Sequence, residues 1–327
     1  MPSTKTPPVI DFSDYLSGDQ KRMEHCAAQI RDACLTQGFF QIVNHDIPLS
    51  LQKEMFKVSK EFFDLPLEEK MKLDKSLVND RSQYQAGPER GLLRLARPTS
   101  RPPSSQGGEV RSWPNVWPEA LGEPFRRTCM DYLHRIVKLT EEVMGAMAMS
   151  LGYDKNYFDE FCTDPMCFYK LLHYPPQPDD AHALQRGIGA HRDFGVITLL
   201  LQGDVPGLEV WDDEAKDWYP APPVEGAYVV NMGNLFEQWT NDTYVSNVHR
   251  VINRSGEERF SIPFNYNGNP DFVIRCIESC RNNSEEEKYA PISVEDYVVQ
   301  KYKDVYARAG VYKKETFAPS AKHVIAA

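Results

Sequence analysis

Two residues in the second half of the chain have the types and spacing to bind one metal ion. His191 and Asp193 lie in the segment 189–195, directly before the strand-like apolar run 196–201. In an extended backbone, residues two apart point to the same side, so this imidazole and this carboxylate can reach one ion. The spacing alone is weak, because it arises by chance in many chains and also fits a surface turn.

A third candidate ligand lies further along the chain. His249 interrupts the apolar run 245–252, where a histidine either finds a hydrogen-bond partner in the core or binds metal, and the core role is the commoner one. Ten residues later, Arg259 and Ser261 face one side of the run 259–266. A guanidinium and a hydroxyl so placed can together bind a carboxylate.

Together these residues predict oxygen chemistry. Two histidines and one carboxylate on one side of a metal leave three positions for a bidentate ligand and O2, as in the facial triad of Fe(II) oxygenases. Zinc-dependent hydrolysis is the competing interpretation, but it does not by itself explain an Arg-x-Ser pair after the last ligand.

The segments that carry these residues are typical of a β-sandwich or barrel. Short apolar runs separated by Gly, Pro, Asp and Asn predict strands, for which a double-sheet jelly roll is the natural candidate. These runs are 168–172, 196–201, 208–211, 227–231, 245–252 and 260–266.

The first half of the chain is mixed α and β. Asp19 precedes a helical pattern that Gly38 ends, and a strand follows over 38–43. His45 lies in the next turn and is interpreted as structural. Pro118 suits the first turn of a long helix to about Leu151, which we expect to be the scaffold helix.

Regular structure is hard to support between Asp80 and Pro118, because prolines and glycines interrupt this segment repeatedly. A long loop in a compact domain is usually functional or mobile. The segment concentrates arginines in an otherwise acidic protein. They are Arg81, Arg90, Arg94, Arg97, Arg101 and Arg111.

Composition restricts the classes of function. The 327 residues carry a net charge of −10, which argues against nucleic-acid or anionic-membrane binding, since both require a basic surface. We expect a cytoplasmic protein, because no secretory leader and no apolar run of membrane-spanning length is visible. The seven cysteines are expected to be reduced thiols.

These residues resemble the 2-oxoglutarate/Fe(II)-dependent dioxygenase superfamily, in its isopenicillin-N-synthase-like branch. The resemblance rests first on His191-x-Asp193, His249 and Arg259-x-Ser261. The resemblance extends over nearly the whole chain through shorter sequence motifs. These are Val9-Ile10-Asp11-Phe12, Gly38-Phe39-Phe40-Gln41-Ile42-Val43-Asn44-His45, Phe62-Phe63-Asp64-Leu65-Pro66, Pro114-Asn115-Val116-Trp117-Pro118, Leu172-His173-Tyr174-Pro175-Pro176, Pro206-Gly207-Leu208-Glu209-Val210 and Asn231-Met232-Gly233-Asn234.

The resemblance implies a mainly β fold with α additions (α+β): a distorted double-stranded β-helix, or jelly roll, wrapped by N-terminal helices and a C-terminal helix. His191, Asp193 and His249 would bind Fe(II), and Arg259 and Ser261 the distal carboxylate of 2-oxoglutarate, with O2 as the second co-substrate. Tyr174 matches a tyrosine that often contacts the same carboxylate, although a packing role fits it equally well.

A single structural unit over 1–327 is expected. Within it we expect an N-terminal dioxygenase-type region over 8–118 with a substrate-side loop over 80–118, scaffold helices over 119–160, the jelly-roll core with the iron and 2-oxoglutarate site over 165–275, and a C-terminal helix and tail over 290–327.

The resemblance also predicts which residues bind the substrate. If the arginine-rich loop folds over the iron, some of its arginines would bind an acidic or phenolic small molecule, although a solvated loop is the alternative. Candidate pocket residues are Tyr84, Arg90, Arg94, Phe168, Phe194, Phe264 and Tyr266. We expect no nucleic-acid, membrane or obligate protein partner.

The expected reaction is hydroxylation, desaturation or oxidative rearrangement of a secondary metabolite, with release of succinate and CO2. The chain is similar to fungal members that tailor natural products, one of whose activities is ring expansion to a tropolone. The main alternative is a 2-oxoglutarate-independent Fe(II) oxidase of the isopenicillin-N-synthase type. A metal-dependent hydrolase or lyase and a non-catalytic sensor on the same fold also remain open.

Overall fold

The computed structural model describes residues 5–73, 84–85, 91–97, 115–176, 187–281 and 287–304. These residues form an eight-stranded sheet, a four-stranded sheet and one small strand pair. The strands are β1 Val9–Asp11, β2 Phe39–Val43, β3 Tyr84–Gln85, β4 Gly91–Ala96, β5 Cys167–Tyr174, β6 Ile188–His191, β7 Ile197–Gln202, β8 Leu208–Asp212, β9 Asp217–Pro220, β10 Tyr228–Met232, β11 His249–Val251, β12 Arg259–Tyr266, β13 Val273–Ile274 and β14 Ile292–Ser293.

Helices precede, interrupt and follow the strands. They are α1 Ser13–Leu16, α2 Gln20–Thr36, α3 Leu49–Asp64, α4 Leu67–Met71, α5 Gly122–Ser150, α6 Asp159–Cys162 and α7 Asn234–Trp239, with short 3-10 turns at Glu119–Leu121 and Glu278–Cys280. A last helix, α8, covers 294–304. In the described part of the chain, no helix is both long enough and apolar enough to cross a membrane.

The two larger sheets pack face to face, as predicted for a jelly roll. The large sheet has the order β1-β2-β10-β7-β12-β5-β4-β3, and the small sheet has the order β6-β11-β8-β9. A buried apolar cluster joins their facing sides, with Phe39 and Leu172 from the large sheet against Leu208 and Val210 from the small one. The expected mainly β fold with α additions is confirmed.

The outer face of the large sheet packs against the helices. Strand β12 shows the difference between the two faces of the large sheet most clearly, because successive side chains along a strand point to opposite faces. Ile262, Phe264 and Tyr266 join the helix-side core, whereas Arg259 and Ser261 face the small sheet. The long helix α5 supplies most of the opposing stripe, including Phe125, Cys129, Tyr132, Leu133, Ile136, Leu139, Val143 and Met147.

Local chemistry explains the bounds of α2, which match the sequence prediction. The side chain of Asp19 accepts a hydrogen bond from Arg22 N at 3.0 Å, which satisfies a backbone donor that the first turn leaves open. Gly38 has a φ of +65°, and its amide donates to Ala33 O. A Cβ at this glycine would lie 1.9 Å from Val245 O, so both the left-handed turn and the close packing require glycine.

Several elements differ from the sequence prediction. The segment between Asp80 and Pro118 contains β4, which pairs antiparallel with β5 over six residues. Apolar Leu93 and Leu95 alternate there with Arg94, a pattern of one buried and one polar face that was overlooked among the prolines. Strands β6 and β9 and helix α7 were missed because they are short, and β11 is shorter than the apolar run around it.

Candidate active site

His191 and His249 lie directly opposite each other in the small sheet. His191 ends β6, His249 begins β11, and the two residues are cross-strand partners. Their ring centroids are 4.2 Å apart. The register of one strand pair therefore brings together two residues separated by 58 positions in the sequence.

Hydrogen bonds to the backbone orient both imidazoles. His191 Nδ1 donates to Gly189 O at 2.9 Å, and His249 Nδ1 donates to Asn247 O at 3.2 Å. A carbonyl oxygen can only accept, so each neutral ring carries its proton on Nδ1 and presents the lone pair of Nε2. Both Nε2 atoms face Asp193 Oδ1, at 3.6 Å and 3.8 Å.

The carboxylate of Asp193 is oriented in the same way. Its Oδ2 accepts from Thr198 Oγ1 at 2.6 Å and from Asn231 Nδ2 at 2.9 Å. These bonds occupy Oδ2 and leave Oδ1 directed at the two histidines. Asn265 Nδ2 donates in turn to Thr198 Oγ1 at 3.0 Å, which fixes the direction of the Thr198 hydroxyl proton towards Asp193.

The electrostatics suit a site that binds a cation through a deprotonated carboxylate. Burial opposes ionisation of Asp193, but its interactions with the protonated forms of His191 and His249 and the hydrogen bond from Asn231 hold its pKa well below the usual range. Burial lowers the pKa of His249 and outweighs the attraction of Asp193. The pKa of His191 is raised. Burial and the charge of Lys170 act to lower it, but the hydrogen bond and charge of Asp193 outweigh them.

The ligand atoms of His191, Asp193 and His249 lie within 4.8 Å of one another. Two imidazole nitrogens and one carboxylate oxygen on one side of an ion are the ligand set of non-haem Fe(II) sites, in which the remaining positions stay open. The hydrogen bonds that join these three residues to Gly189, Asn247, Thr198 and Asn231 are of the kind that hold metal ligands in place. The residues therefore fit a metal ion of this type.

A second group of polar side chains surrounds the guanidinium of Arg259 on the inner face of the large sheet. Arg259 is fully buried, with Nη1 donating to Ser261 Oγ at 3.3 Å and Nη2 to Gln202 Oε1 at 3.1 Å. Its guanidinium lies 4.9 Å from the ring centroid of Tyr174, its direct partner across β5 and β12. Burial lowers the pKa of Arg259, and Tyr174 opposes this shift.

The polar groups of this site are incompletely satisfied. Arg259 Nε and the hydroxyl of Tyr174 are buried without a hydrogen-bond partner, and no carboxylate among the described residues pairs with the guanidinium. A buried cation with unmade hydrogen bonds is costly unless an anion binds there. The site therefore fits a carboxylate.

Two glycines make room for this site. A Cβ at Gly207 would lie 3.1 Å from Arg259 Cδ and Nε, and one at Gly187 would lie 2.5 Å from the Tyr174 ring. Gly207 lies in the segment Pro206–Val210, which resembles the superfamily, and its close contact with Arg259 is a physical reason for a glycine there.

The predicted pocket residues separate into groups. Phe168 and Arg94 lie on the inner face of the large sheet, whereas Phe264 and Tyr266 lie in the helix-side core and are not brought to the metal ligands. Phe194, next to Asp193, packs against Tyr302 of α8 with centroids 5.3 Å apart. The backbone of Tyr84 forms part of β3, and Arg90 lies outside the described residues.

Sequence reasoning missed four polar residues of this site: Thr198, Gln202, Asn231 and Asn265. All four occupy inward positions of β7, β10 or β12, as their bonds to Asp193, Arg259 and one another show. The signal that could have found them is a polar side chain inside an apolar strand, which must have a partner when buried.

Two protein-family models match this chain, one in its N-terminal part and one in the part that contains the candidate site. Residues 7–120 match the model of the non-haem dioxygenase N-terminal region named for morphine synthesis. Residues 163–268 match the model of the 2OG-Fe(II) oxygenase superfamily, and this range contains the three candidate metal ligands and the Arg-x-Ser pair.

Similar proteins cover nearly the whole chain. The 2-oxoglutarate-Fe(II) type oxidoreductase hxnY of Emericella nidulans is 42% identical over 336 residues, covering 98% of this chain and 96% of the relative. Clavatol oxidase claD of Penicillium crustosum is 35% identical over 327 residues, covering 92% and 96%. The structure of a full-length Neurospora crassa protein in complex with alpha-KG is 31% identical, with a TM-score of 0.81, covering 92% and 97%.

Proposed function

The chain belongs to the 2OG-Fe(II) oxygenase superfamily, and we propose that it oxidises a small organic molecule of secondary metabolism. Membership makes it a dioxygenase that uses Fe(II), 2-oxoglutarate and O2. The outcome is hydroxylation, desaturation or an oxidative rearrangement, with 2-oxoglutarate converted to succinate and CO2. The fungal relative named clavatol oxidase supports a role in tailoring such molecules.

We assign His191 Nε2, Asp193 Oδ1 and His249 Nε2 as the iron ligands. When bound, iron and 2-oxoglutarate together supply the oxidising power that O2 alone lacks at a C–H bond. The protein prepares the ligand atoms before the metal arrives, because both Nδ1 atoms and Asp193 Oδ2 are already engaged. Little reorganisation is then needed on binding.

The observation that carries the proposal is the buried guanidinium of Arg259, which lacks a counter-ion among the described residues. We assign it, with Ser261 and Tyr174, to the distal carboxylate of 2-oxoglutarate. The two unpartnered donors, Arg259 Nε and the Tyr174 hydroxyl, would then gain an acceptor. Arg259 and Ser261 also lie on the face of β12 that points towards the small sheet, which carries His191 and His249.

The 2-oxoglutarate-independent oxidase is not favoured. The relatives quoted above include a 2-oxoglutarate-Fe(II) type oxidoreductase over almost the full chain, and the Neurospora crassa structure contains alpha-KG. An oxidase of the other type would have to bind a different anion at Arg259.

An anaerobic titration with Fe(II) and 2-oxoglutarate tests the assignment. We expect a visible charge-transfer band that requires both additions, because it reports 2-oxoglutarate bound to iron. Arg259→Ala should weaken 2-oxoglutarate binding by about two orders of magnitude, since it removes the buried charge that pairs with the carboxylate. The matched control is Arg254→Ala, whose side chain is 61% exposed, and it should leave the band unchanged. Tight Fe(II) binding with no band would reject the assignment.

A further inference from the structure

Helix α7 is hydrogen-bonded to the backbone that carries Asp193. The amide of Asn234 donates to Asp193 O at 2.8 Å. The amide of Leu235 donates to Gly195 O at 3.1 Å. A Cβ at Gly233 would lie 2.1 Å from Gly195 O, so the loop and the helix are in close contact. The first turn of α7 therefore holds the backbone of one proposed iron ligand.

The side chain of Glu237, also in α7, connects the two segments that carry the proposed iron ligands. Its Oε2 accepts from Arg192 Nη1 at 3.4 Å, and Arg192 lies between His191 and Asp193 in the sequence. Its Oε1 accepts from the amide of Ser246 at 3.0 Å. One carboxylate thus joins the loop after β6 to the segment that leads into β11.

The bond from Ser246 is the stronger of these two contacts. Ser246 is fully buried, and a carboxylate that accepts from a backbone N–H forms a charge-assisted hydrogen bond. Loss of this acceptor would leave a buried donor unsatisfied, which is costly. The next residue, Asn247, supplies the carbonyl that accepts from His249 Nδ1 at 3.2 Å. A shift of the Ser246 peptide would therefore displace the group that orients the His249 ring.

The bond from Arg192 acts on the other segment. The side chain of Arg192 is 45% exposed and that of Glu237 is 19% exposed, so solvent weakens this ion pair. Its importance lies in its place in the chain, because Arg192 is covalently bonded to both His191 and Asp193. A fixed Arg192 side chain restricts the backbone rotations that would separate these two ligands.

Helix α7 is itself held by the hydrophobic core. Leu235, Phe236 and Trp239 are buried and belong to the core on the helix side of the large sheet. The ring of Trp239 lies 4.9 Å from that of Phe161, measured between centroids. Glu237 therefore extends from an element that packing keeps in place.

We propose that Glu237 is a positioning residue of the iron site. Its carboxylate holds the two ligand-bearing segments in a fixed relation, through Arg192 and Ser246, and does not itself bind the metal. This inference rests on the proposed function, because it concerns the residues assigned there to iron. It adds α7, which the sequence did not predict, to the elements that build the site.

The test measures metal binding by the full-length protein without turnover. Anaerobic equilibrium dialysis gives the affinity for Fe(II), and the visible spectrum of the Co(II)-loaded protein reports the coordination geometry. Glu237→Ala removes both contacts. We expect it to weaken Fe(II) binding by about tenfold or more and to change the Co(II) spectrum.

Glu237→Gln separates the two contacts. The glutamine Oε1 can still accept from Ser246, whereas its Nε2 cannot accept from Arg192. This variant should therefore lose Fe(II) affinity only severalfold and should keep the wild-type Co(II) spectrum. A loss as large as that of Glu237→Ala would contradict the stronger role of the Ser246 contact and overturn the proposal.

The matched control is Asp14→Ala. Asp14 also pairs with an arginine, Arg22, at 2.8 Å, and its side chain is 27% exposed, but it lies in α1. This variant should bind Fe(II) like the wild type, whatever its effect on the melting temperature. Circular dichroism at the dialysis temperature shows that each variant is folded. Equal losses of affinity in Asp14→Ala and Glu237→Ala would overturn the proposal, because general destabilisation would explain both.

A double-mutant cycle tests whether Arg192 acts through Glu237. Arg192→Met should weaken Fe(II) binding severalfold, as Glu237→Gln does. The double variant should lose no more than either single one, because each already breaks the same ion pair. Additive losses would show that the two residues act independently and would overturn the proposal. These variants keep the Ser246 contact, so the cycle decides the question even if Glu237→Ala does not fold.

The 2-oxoglutarate titration separates this inference from the proposed function. If the wild type forms the charge-transfer band but Glu237→Ala binds Fe(II) with unchanged affinity and the same Co(II) spectrum, the role of Glu237 is rejected while the proposed function stands. If the wild type binds Fe(II) tightly but forms no band, the assignment of 2-oxoglutarate fails, and dialysis of the variants still decides the role of Glu237. If the wild type binds no Fe(II), both are rejected.

Discussion

Asp193 shows how neighbouring side chains prepare one atom for a metal. Both hydrogen bonds from Thr198 and Asn231 go to Oδ2, whereas Oδ1 faces the two histidine Nε2 atoms. Such partners orient a carboxylate and reduce the entropy that is lost when the ion binds. The hydroxyl of Thr198 is thus as much a part of the proposed iron site as a backbone carbonyl is for each histidine.

We predict that Thr198→Val lowers the affinity for Fe(II) by about tenfold to a hundredfold. The substitution keeps the shape of the side chain but removes the 2.6 Å hydrogen bond to Asp193. Anaerobic equilibrium dialysis with Fe(II) measures the effect without turnover. Thr198→Ser retains the hydroxyl and should bind iron like the wild type. Unchanged iron affinity in Thr198→Val would show that Asn231 suffices to orient the carboxylate.

The close contact at Gly207 gives a second prediction for single residues. In Gly207→Ala the new methyl would lie 3.0 Å from Ile252 O and 3.1 Å from Arg259 Cδ and Nε, so the guanidinium must shift. We expect a severalfold rise in KM for 2-oxoglutarate, with a smaller change in kcat, because misplaced groups weaken binding of the carboxylate. Initial rates at varied 2-oxoglutarate concentration test this. A fall in kcat at constant KM would contradict it.

At the scale of elements, alternation along strands allowed the sequence to predict the site but not the whole pocket. Arg259 and Ser261 share a face of β12, as the spacing indicated. Phe264 and Tyr266 were predicted as pocket walls, yet they lie an odd number of residues from this pair and face the helices. The alternation that supported the Arg-x-Ser pair already excluded them.

Other features depend on pairing between distant segments and could not be predicted from local sequence patterns. The pairing of His191 with His249 depends on the register between β6 and β11, and β6 is a short strand without a continuous apolar run. Strand β4 is stabilised by pairing with β5, which the prolines around it obscure. The bounds of α2 were predictable because Asp19 and Gly38 are local capping signals. Helix α5 begins at Gly122, later than the start predicted from Pro118, because a 3-10 turn over Glu119–Leu121 precedes it.

The turn between β2 and α3 gives a prediction on pH. His45 Nε2 donates to Gly226 O at 2.8 Å, and Nδ1 accepts from Ile47 N at 3.2 Å. Both nitrogens are thus satisfied only in the neutral ring, and burial lowers the pKa of His45 below its ordinary value. Protonation would place a second N–H against the Ile47 amide.

At mildly acidic pH, His45 is therefore more fully protonated in the unfolded chain than in the folded one. The contribution of His45 to the free energy of unfolding is complete above about pH 6.5, the unfolded pKa, and is lost as pH falls through the lowered folded pKa. Urea unfolding of the wild type and His45→Gln between neutral and acidic pH measures this. The wild type should lose more stability than the variant on acidification. Parallel curves for the two proteins would contradict the prediction.

At the scale of the whole molecule, the two sheets contribute different parts of the proposed site. The small sheet holds His191 and His249, and the large sheet holds Arg259, Ser261 and Tyr174. Since 2-oxoglutarate would contact both the iron and Arg259, its binding connects the two sheets across their apolar interface. The co-substrate should then stabilise the folded protein as a unit.

We therefore predict that Fe(II) and 2-oxoglutarate raise the melting temperature together. A ligand at a hundredfold excess over its Kd adds about 2.7 kcal/mol to the free energy of unfolding, which for a protein of this size corresponds to a shift of a few degrees. Anaerobic calorimetry with each ligand alone and with both measures it.

Variants test whether stabilisation by 2-oxoglutarate depends on contacts with both sheets. Arg259→Ala should keep the shift caused by Fe(II) and lose the further shift caused by 2-oxoglutarate, because only the large-sheet contact is removed. His249→Ala should lose both, since 2-oxoglutarate then lacks the metal that it chelates. If 2-oxoglutarate stabilised His249→Ala as strongly as the wild type, it would bind through Arg259 alone, and the connection between the sheets would be absent.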